Sequence, residues 1–331
     1  MLLPLYYLIK PLIPRRVQLA VRGAIVRSKR SRVSDIWPID QRAAAPPEGW
    51  RGWPEGKRFA FVLTHDVETA RGQEKCLLLA ELEMSLGFRS SFNFVAEDYP
   101  VDRGLQRFLV ERGFEVGLHG LNHRGNIFSP VSRFLKEAPK INHYLRVWGA
   151  VGFRAPTMYR DFSLLQLLDI LYDSSSFDTD PFEPQPWGLG TIFPRWIPST
   201  SASQPATSNQ EPVTGNRYKA TNSGFVELPY TCPQDHTLFL ILREKDGSIW
   251  KSKLDWIAEK RGMALLCTHP DYMDFDWREN SGVFYPASLY ADFLNYVSAR
   301  YRGAYWHALP KEVAAFWKTQ VPTSPSAPPM F

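Results

Sequence analysis

The 331-residue chain has only three cysteines, Cys76, Cys232 and Cys267. Three thiols so far apart exclude a disulfide framework and a thiolate zinc cage, and they fit buried, reduced side chains in a cytoplasmic protein. No internal repeat is present, so a solenoid is excluded as well. Residues 1–34 contain no acidic side chain but eight basic ones (Lys10, Arg15, Arg16, Arg22, Arg27, Lys29, Arg30 and Arg32). Those eight exceed the net charge of +5, so the rest of the chain is net negative. The basic character belongs to the N-terminus, and no nucleic-acid-binding surface is expected. The opening "MLLPLYYLIKPLIPRR" is broken by Pro4, Lys10, Pro11 and Pro14. It is too short to span a bilayer and has no small-residue cleavage site, so neither a membrane span nor an export signal is expected. Residues 199–223 almost lack large apolar side chains and read as a surface insertion, while the Pro/Ser-rich tail 319–331 reads as disordered.

The remainder can build a sizeable core, with 44% hydrophobic and 14% aromatic residues. In the basic N-terminal segment, Val17, Val21, Ala24 and Ile25 share one helical face, with Arg15, Arg22 and Lys29 around it. Such a helix either lies peripherally on the anionic inner face of a membrane or docks on the main domain with its arginines solvated. A Pro/Trp/Gly-rich linker, 35–58, leads from it to the first apolar run, 59–64.

From there strand-like and helix-like segments alternate. Helices are expected at 75–87, 104–113, 128–149, 161–171, 248–262 and 288–301; strands are expected at 59–64, 90–96, 114–119, 151–156, 224–230 and 263–270, with 172–177 following the fourth helix. About seven repeats of this alternation predict one α/β domain over 59–318, a distorted (β/α)7-type barrel carrying a basic N-terminal helix. The polar residues His65, Asp66, Glu68, His119, Arg154, Asp173 and His269 fall mostly where strands end. In a (β/α) barrel those ends converge on one face, where active sites are built.

"VLTHDVETA" carries an apolar strand straight into His65, Asp66 and Glu68. At a strand's period of two, Asp66 and Glu68 face the same way. "HGLNH" sets His119 and His123 four residues apart, which one helical turn would bring to one side, close enough to chelate a divalent ion. A carboxylate from another strand end, Glu68 or Asp66, completes a set of two histidines and one carboxylate with open positions, the pattern of a catalytic site. Arg154 can hold a carboxylate ionised as a general base, and His269 at the barrel mouth suits a general acid. A glycosidase built on Asp66 and Glu68 is disfavoured, because carboxylates two apart on one strand do not flank a scissile bond.

The ordered segments "THDVE", "HGLNH", "RAP", "YDSSSFDTDP" and "LCTH" resemble the motif series of the NodB-type polysaccharide deacetylase family, over about residues 59–272. "GFEVGLHGLNH", "FDTDPFEPQPWG" and "WIAEKRGMALLCTHPDYM" resemble a bacterial subgroup linked to surface and exopolysaccharide assembly. The resemblance implies a metal-dependent hydrolase, acting with Zn2+ or a similar divalent ion, that removes an N-acetyl group from an amino sugar in a glycan or glycan precursor. It implies Asp66 as base, Arg154 as its orienting partner, His119 and His123 as ligands, and His269 as acid. Glu68 would be the third ligand, with Asp66 the alternative and the two roles open to exchange. The fourth motif's aspartate is Asp178 or Asp180. Gly120 and Thr157 depart from the family pattern, the former within H-[ST]-x-x-H and the latter after R-x-P. Tyr159, Trp187 and Tyr272 are candidates for stacking on sugar rings. Two other readings are a non-catalytic glycan-binding member of the fold and a small-molecule amidohydrolase.

Overall fold

The computed structural model describes residues 15–183, 185–199, 224–276 and 283–320. Nearly all of the 199–223 insertion, most of the tail and residues 1–14 therefore lie outside the described residues.

The chain alternates strand and helix around a curled, mainly parallel sheet. A first helix, α1 (Arg15–Arg30), precedes β1 (Phe59–Val67), α2 (Ala70–Ser85), β2 (Ser91–Phe94), α3 (Arg103–Glu111), β3 (Glu115–Leu118), α4 (Val131–Trp148) and β4 (Gly152–Phe153). After these come α5 (Phe162–Leu165), β5 (Tyr172–Asp173), β6 (Arg195–Pro198), β7 (Gly224–Glu227), α6 (Ser248–Lys260) and β8 (Met263–Thr268). Two short strands, β9 (Met273–Asp274) and β10 (Tyr285–Pro286), pair with each other before α7 (Ala287–Arg300), β11 (Tyr305–His307) and α8 (Pro310–Gln320).

β1 is the centre of the sheet. It reads "FAFVLTHDV", is buried throughout, and bonds β8 over residues 60–65, β2 over 64–67 and β11 over 59–61, all in parallel. A strand buried on both faces has no solvated side to alternate toward, so a continuous apolar run suits it. From β2 the sheet runs through β3, β4 and β5 to β7, with β6 added antiparallel at the edge. Beyond β7 the chain bridges back to β8, Cys232 to Leu266 and Thr231 N to Leu265 O, which closes the distorted seven-stranded barrel.

The expected helices form, with two informative differences. α2 starts five residues before the expected Lys75, because Thr69 caps it by accepting from Gly72 N. The helix expected over 161–171 stops at Leu165. Asn142 of α4 takes Leu167 O and Asp169 N, and Leu171 N bonds Val151 O, so the peptide groups that a longer helix would need are already engaged. A π-helix, His236–Leu242, and the elements β6, β11 and α8 lie outside the expected set.

Candidate metal centre and acid–base pair

The ends of β1, β3, β4 and β8 meet at one mouth. On β1 the side chains alternate. His65 turns away into the core, between Thr268 Oγ1 at 2.7 Å and Glu83 Oε1 at 2.8 Å, with Phe92 4.8 Å from its ring. It is a structural histidine, bound to Glu83 together with Ser90 and Tyr290. Thr64, Asp66 and Glu68 project to the other side.

Asp66 is almost fully buried. Its Oδ1 accepts from Arg154 Nη1 at 3.1 Å and from Asn93 Nδ2 at 2.9 Å, and Cys267 Sγ lies 3.4 Å from Oδ2. Asn93 reaches it because the two residues are cross-strand partners in the β1–β2 register. Burial opposes ionisation, but the Arg154 guanidinium, with His119, His269 and the Asn93 hydrogen bond, outweighs it and holds this carboxyl well below the usual range. Arg154 is itself fixed at the end of β4, through its N to Leu118 O, and donates to Ser174 O, Ser174 Oγ and Thr64 Oγ1. Every hydrogen bond positions this cation behind Asp66.

Glu68 lies one residue beyond β1, at the front of the site. Its Oε1 is 3.1 Å from His123 Nε2 and 3.8 Å from His269 Nε2, while Tyr272 OH donates to Oε2 at 2.6 Å. Asp271 accepts from the Glu68 backbone N–H at 3.0 Å, so the segment after His269 anchors both the backbone and the carboxylate.

His119 and His123 come together, but not on a helical turn. His119 directly follows β3, and Gly120 turns the chain in the left-handed region at φ 73°. A Cβ at 120 would meet Pro156 Cγ at 2.9 Å, so both the backbone angle and the packing call for glycine here. The loop then runs beside the extension of β2, with Ala96 N on Gly120 O and Glu97 N on Leu121 O, and Asp98 holds the His123 N–H. The two imidazole rings are 5.3 Å apart. His119 Nδ1 donates to Arg154 O at 3.0 Å, which leaves Nε2 as the free ligand atom. Burial drives its pKa down to about 4, so the ring is neutral, as a ligand requires.

Glu68, His119 and His123 each offer a ligand atom, all within 4.8 Å of one another. Two imidazole nitrogens and one carboxylate oxygen suit Zn2+ or a neighbouring divalent ion, with coordination positions left open. Asp66 also keeps one oxygen toward this group, its Oδ2 lying 3.9 Å from His119 Nε2.

His269 closes the site from β8. Its Nδ1 is 2.7 Å from Asp235 Oδ1, its backbone N–H bonds Asp235 Oδ2, and Tyr285 OH donates to the same oxygen. Burial disfavours the charged ring, but Asp235 overrides it and raises the pKa to about 10. The imidazolium therefore persists at neutral pH, with Nε2 turned to the site. Asp235 escaped the sequence reading; its only signal is a lone acid between "YTCPQ" and the apolar "HTLFLIL". Asn93 and Cys267 were not singled out as site residues either.

The remaining candidates are placed elsewhere. Asp178 pairs with Lys253 Nζ at 2.6 Å in a buried ion pair. Asp180 Oδ2 accepts from Tyr230 OH at 2.9 Å and is pushed up to about 7 by burial and by Glu183. Neither is among the residues that offer a ligand atom to the Glu68–His119–His123 group, and the carboxylate beside His269 is Asp235. Asp173 bonds the Ser175 hydroxyl and lies within the barrel below Arg154. Trp187 is 78% exposed and lines, with Asp178 and Asp180, a surface cavity of about 600 Å³ that contains none of the ligands. Tyr159 packs against the smaller hydrophobic cluster under α4, whereas Tyr272 stands at the site itself.

No family model and no curated protein sequence matches the chain. Solved structures do. A protein from Mycobacterium smegmatis described as a polysaccharide deacetylase superposes with a TM-score of 0.57 at 19% identity, over 86% of this chain and 99% of that one. A second, from Pseudomonas aeruginosa PAO1 and described in the same way, gives 0.57 at 16% identity, over 84% and 96%. The Puue allantoinase gives 0.59 at 15% identity, over 87% and 99%. The chain has the fold common to these proteins.

Proposed function

We propose that the protein is a metal-dependent hydrolase that removes an N-acetyl group from an amino sugar within a glycan or glycan precursor, with zinc the preferred ion. One observation carries the reading. Three ligand side chains share the barrel mouth with a carboxylate kept ionised by Arg154 and an imidazolium kept protonated by Asp235. A base and an acid whose surroundings push their pKa values apart, on either side of one ligand cluster, form the apparatus of amide hydrolysis.

Glu68, His119 and His123 would hold the ion. When bound, a divalent ion supplies Lewis-acid polarisation of the amide carbonyl and charge stabilisation. Asp66 accepts a proton from the attacking water as the new C–O bond forms at the acetyl carbon. Arg154 keeps Asp66 unprotonated until then, and Asn93 fixes which oxygen faces forward. As the C–N bond breaks, His269 delivers its Nε2 proton to the departing nitrogen, and Asp235 stabilises the imidazolium until that transfer. The new acetic acid gives its remaining proton to solvent as it leaves as acetate, the free amine departs, and the proton taken by Asp66 returns through solvent to His269. Tyr272 and Asp271 hold Glu68 in place throughout.

The fold shared with an allantoinase favours a second reading, hydrolysis of a small cyclic or linear amide at the same site. Metal analysis combined with acetate release over a panel of N-acetylated glycans tests the first. Full activity after chelation, or no bound metal, would overturn it, and turnover confined to small amides would select the second.

A further inference from the structure

Helix α1 has two apolar faces, and only one is covered. Leu19, Gly23 and Val26 are buried against the π-helix His236–Leu242. The approach there is close. A Cβ on Gly23 would lie 2.8 Å from Ile241 O, and Arg27 Nη1 donates to the same carbonyl at 3.2 Å. Arg30 pairs with Glu244 at the end of that contact. The docking is therefore specific, and it fixes how the helix is rotated.

That rotation puts the second face in solvent. Val17, Val21 and Ile25 stand four residues apart on one stripe, 48%, 53% and 54% exposed, with Ala20 and Ala24 exposed between them. At 100° per residue, Arg16 and Arg27 flank this stripe on one side and Arg22 and Lys29 on the other. The barrel is therefore bound by the Leu19–Gly23–Val26 face, and the Val17–Ile25 face is left outward. An apolar strip bordered by cations, on a segment with no acidic residue from 1 to 34, matches the interface between anionic headgroups and acyl chains. The fourteen residues before the helix add seven Leu or Ile side chains and one more lysine.

We infer that α1 is a membrane-docking element: the Val17–Val21–Ile25 stripe inserts into the headgroup boundary of an anionic lipid surface while the Leu19–Gly23–Val26 face stays clamped to the barrel. The clamp is the π-helix that begins beside Asp235, the partner of His269, so the lipid-facing helix is tied to the segment that supports the acid. The inference is independent of the hydrolase reading, because binding to lipid is read without turnover.

The test is co-sedimentation of the full chain with phosphatidylglycerol/phosphatidylcholine vesicles and with phosphatidylcholine vesicles alone, at low and high salt. The wild type is expected to bind the anionic vesicles, to prefer them about tenfold or more, and to weaken as salt rises. The triple variant Val17→Asp/Val21→Asp/Ile25→Asp is expected to lose about tenfold or more of that affinity with an unchanged thermal midpoint, since all three side chains are in solvent. The pair Arg16→Glu/Lys29→Glu leaves the stripe intact and should reduce the salt dependence, which keeps the inference testable if the triple variant misfolds. No binding by the wild type, equal binding to neutral vesicles, or wild-type binding by both variants would overturn it. So would a dimer in light scattering that the triple variant dissolves without any vesicle binding, because the stripe would then face a second copy of the chain.

Discussion

Asp66 on β1 and Glu68 just past its end are two residues apart, yet the structure gives them opposite physical burdens, and substituting each by its amide should separate them. Arg154 Nη1 is 3.1 Å from Asp66 Oδ1, and both side chains are nearly inaccessible, at 1% and 3%. At an effective dielectric of about 20, charges at that distance attract by roughly 5 kcal/mol. Asp66→Asn removes this attraction and leaves a buried guanidinium without its anion, for which about 3–5 kcal/mol of destabilisation is typical. Ser174, Thr64 and Cys267 still contact Arg154, so the lower end, about 3 kcal/mol, is expected. Glu68 is 15% exposed and held by His123 and by Tyr272. Glu68→Gln keeps an acceptor for the tyrosine and should cost about 1 kcal/mol or less. Metal affinity should rank the other way, because Glu68→Gln removes a proposed ligand: a loss of about 100-fold or more, beyond the usual effect of a supporting residue. Asp66→Asn should stay within about tenfold of wild type in affinity while its turnover falls by about 100-fold or more. Urea unfolding of the chelator-stripped proteins and calorimetric zinc titration measure both quantities. If Asp66→Asn unfolds within about 1 kcal/mol of wild type, or loses more metal affinity than Glu68→Gln, the division of labour drawn here is refuted.

Asp235→Asn should bring the His269 pKa down from about 10 toward or below its ordinary value, visible as an imidazole NMR titration in the metal-free protein; an unchanged titration would remove Asp235 from the acid's support. Tyr272→Phe should weaken zinc about 10- to 100-fold in calorimetry, since its hydroxyl holds Glu68, the proposed ligand, and unaltered affinity would sink that role. Gly120→Ser should destabilise by about 1–2 kcal/mol in urea, because φ is positive there and Pro156 occupies the Cβ site. Burial raises Glu115 to about 7, so the folded protein keeps a proton that the unfolded chain has released above 4.5. Stability should fall as pH rises between those values, and Glu115→Gln should flatten that slope in unfolding curves recorded across that range.

The fold was legible where hydrophobic period and length agreed. β1, β8 and the helices α4, α6 and α7 appear within a few residues of their expected places, because a continuous apolar run or an i, i+4 stripe has one stable way to be buried. What the chain did not disclose were elements set by neighbours. α5 is cut short by Asn142, which lies 25 residues from Leu167, the residue whose carbonyl it takes. A strand as short as β11 carries no period of its own, and β6 lies half-buried at a sheet edge, so each is defined by the strand beside it.

The site divides along the same line. Asp66, Glu68, His119, His123, Arg154 and His269 could be singled out because barrel topology brings strand ends together, so sequence position is a proxy for spatial position. Asp235 lies on a connection after the strand-like bridge at Cys232, where topology makes no such promise, and only the 2.7 Å contact to His269 identifies it. Asp178 and Asp180, the alternatives for the fourth motif's aspartate, are both buried in an aspartate-rich segment, where Lys253 and Tyr230 hold them. A buried acid has a partner, and the sequence shows that the acid exists without showing which partner it has. The same limit explains α1. Its two apolar faces were both present in the pattern, but only the position of Ile241 O against Gly23 decides which one the protein keeps and which it presents outward.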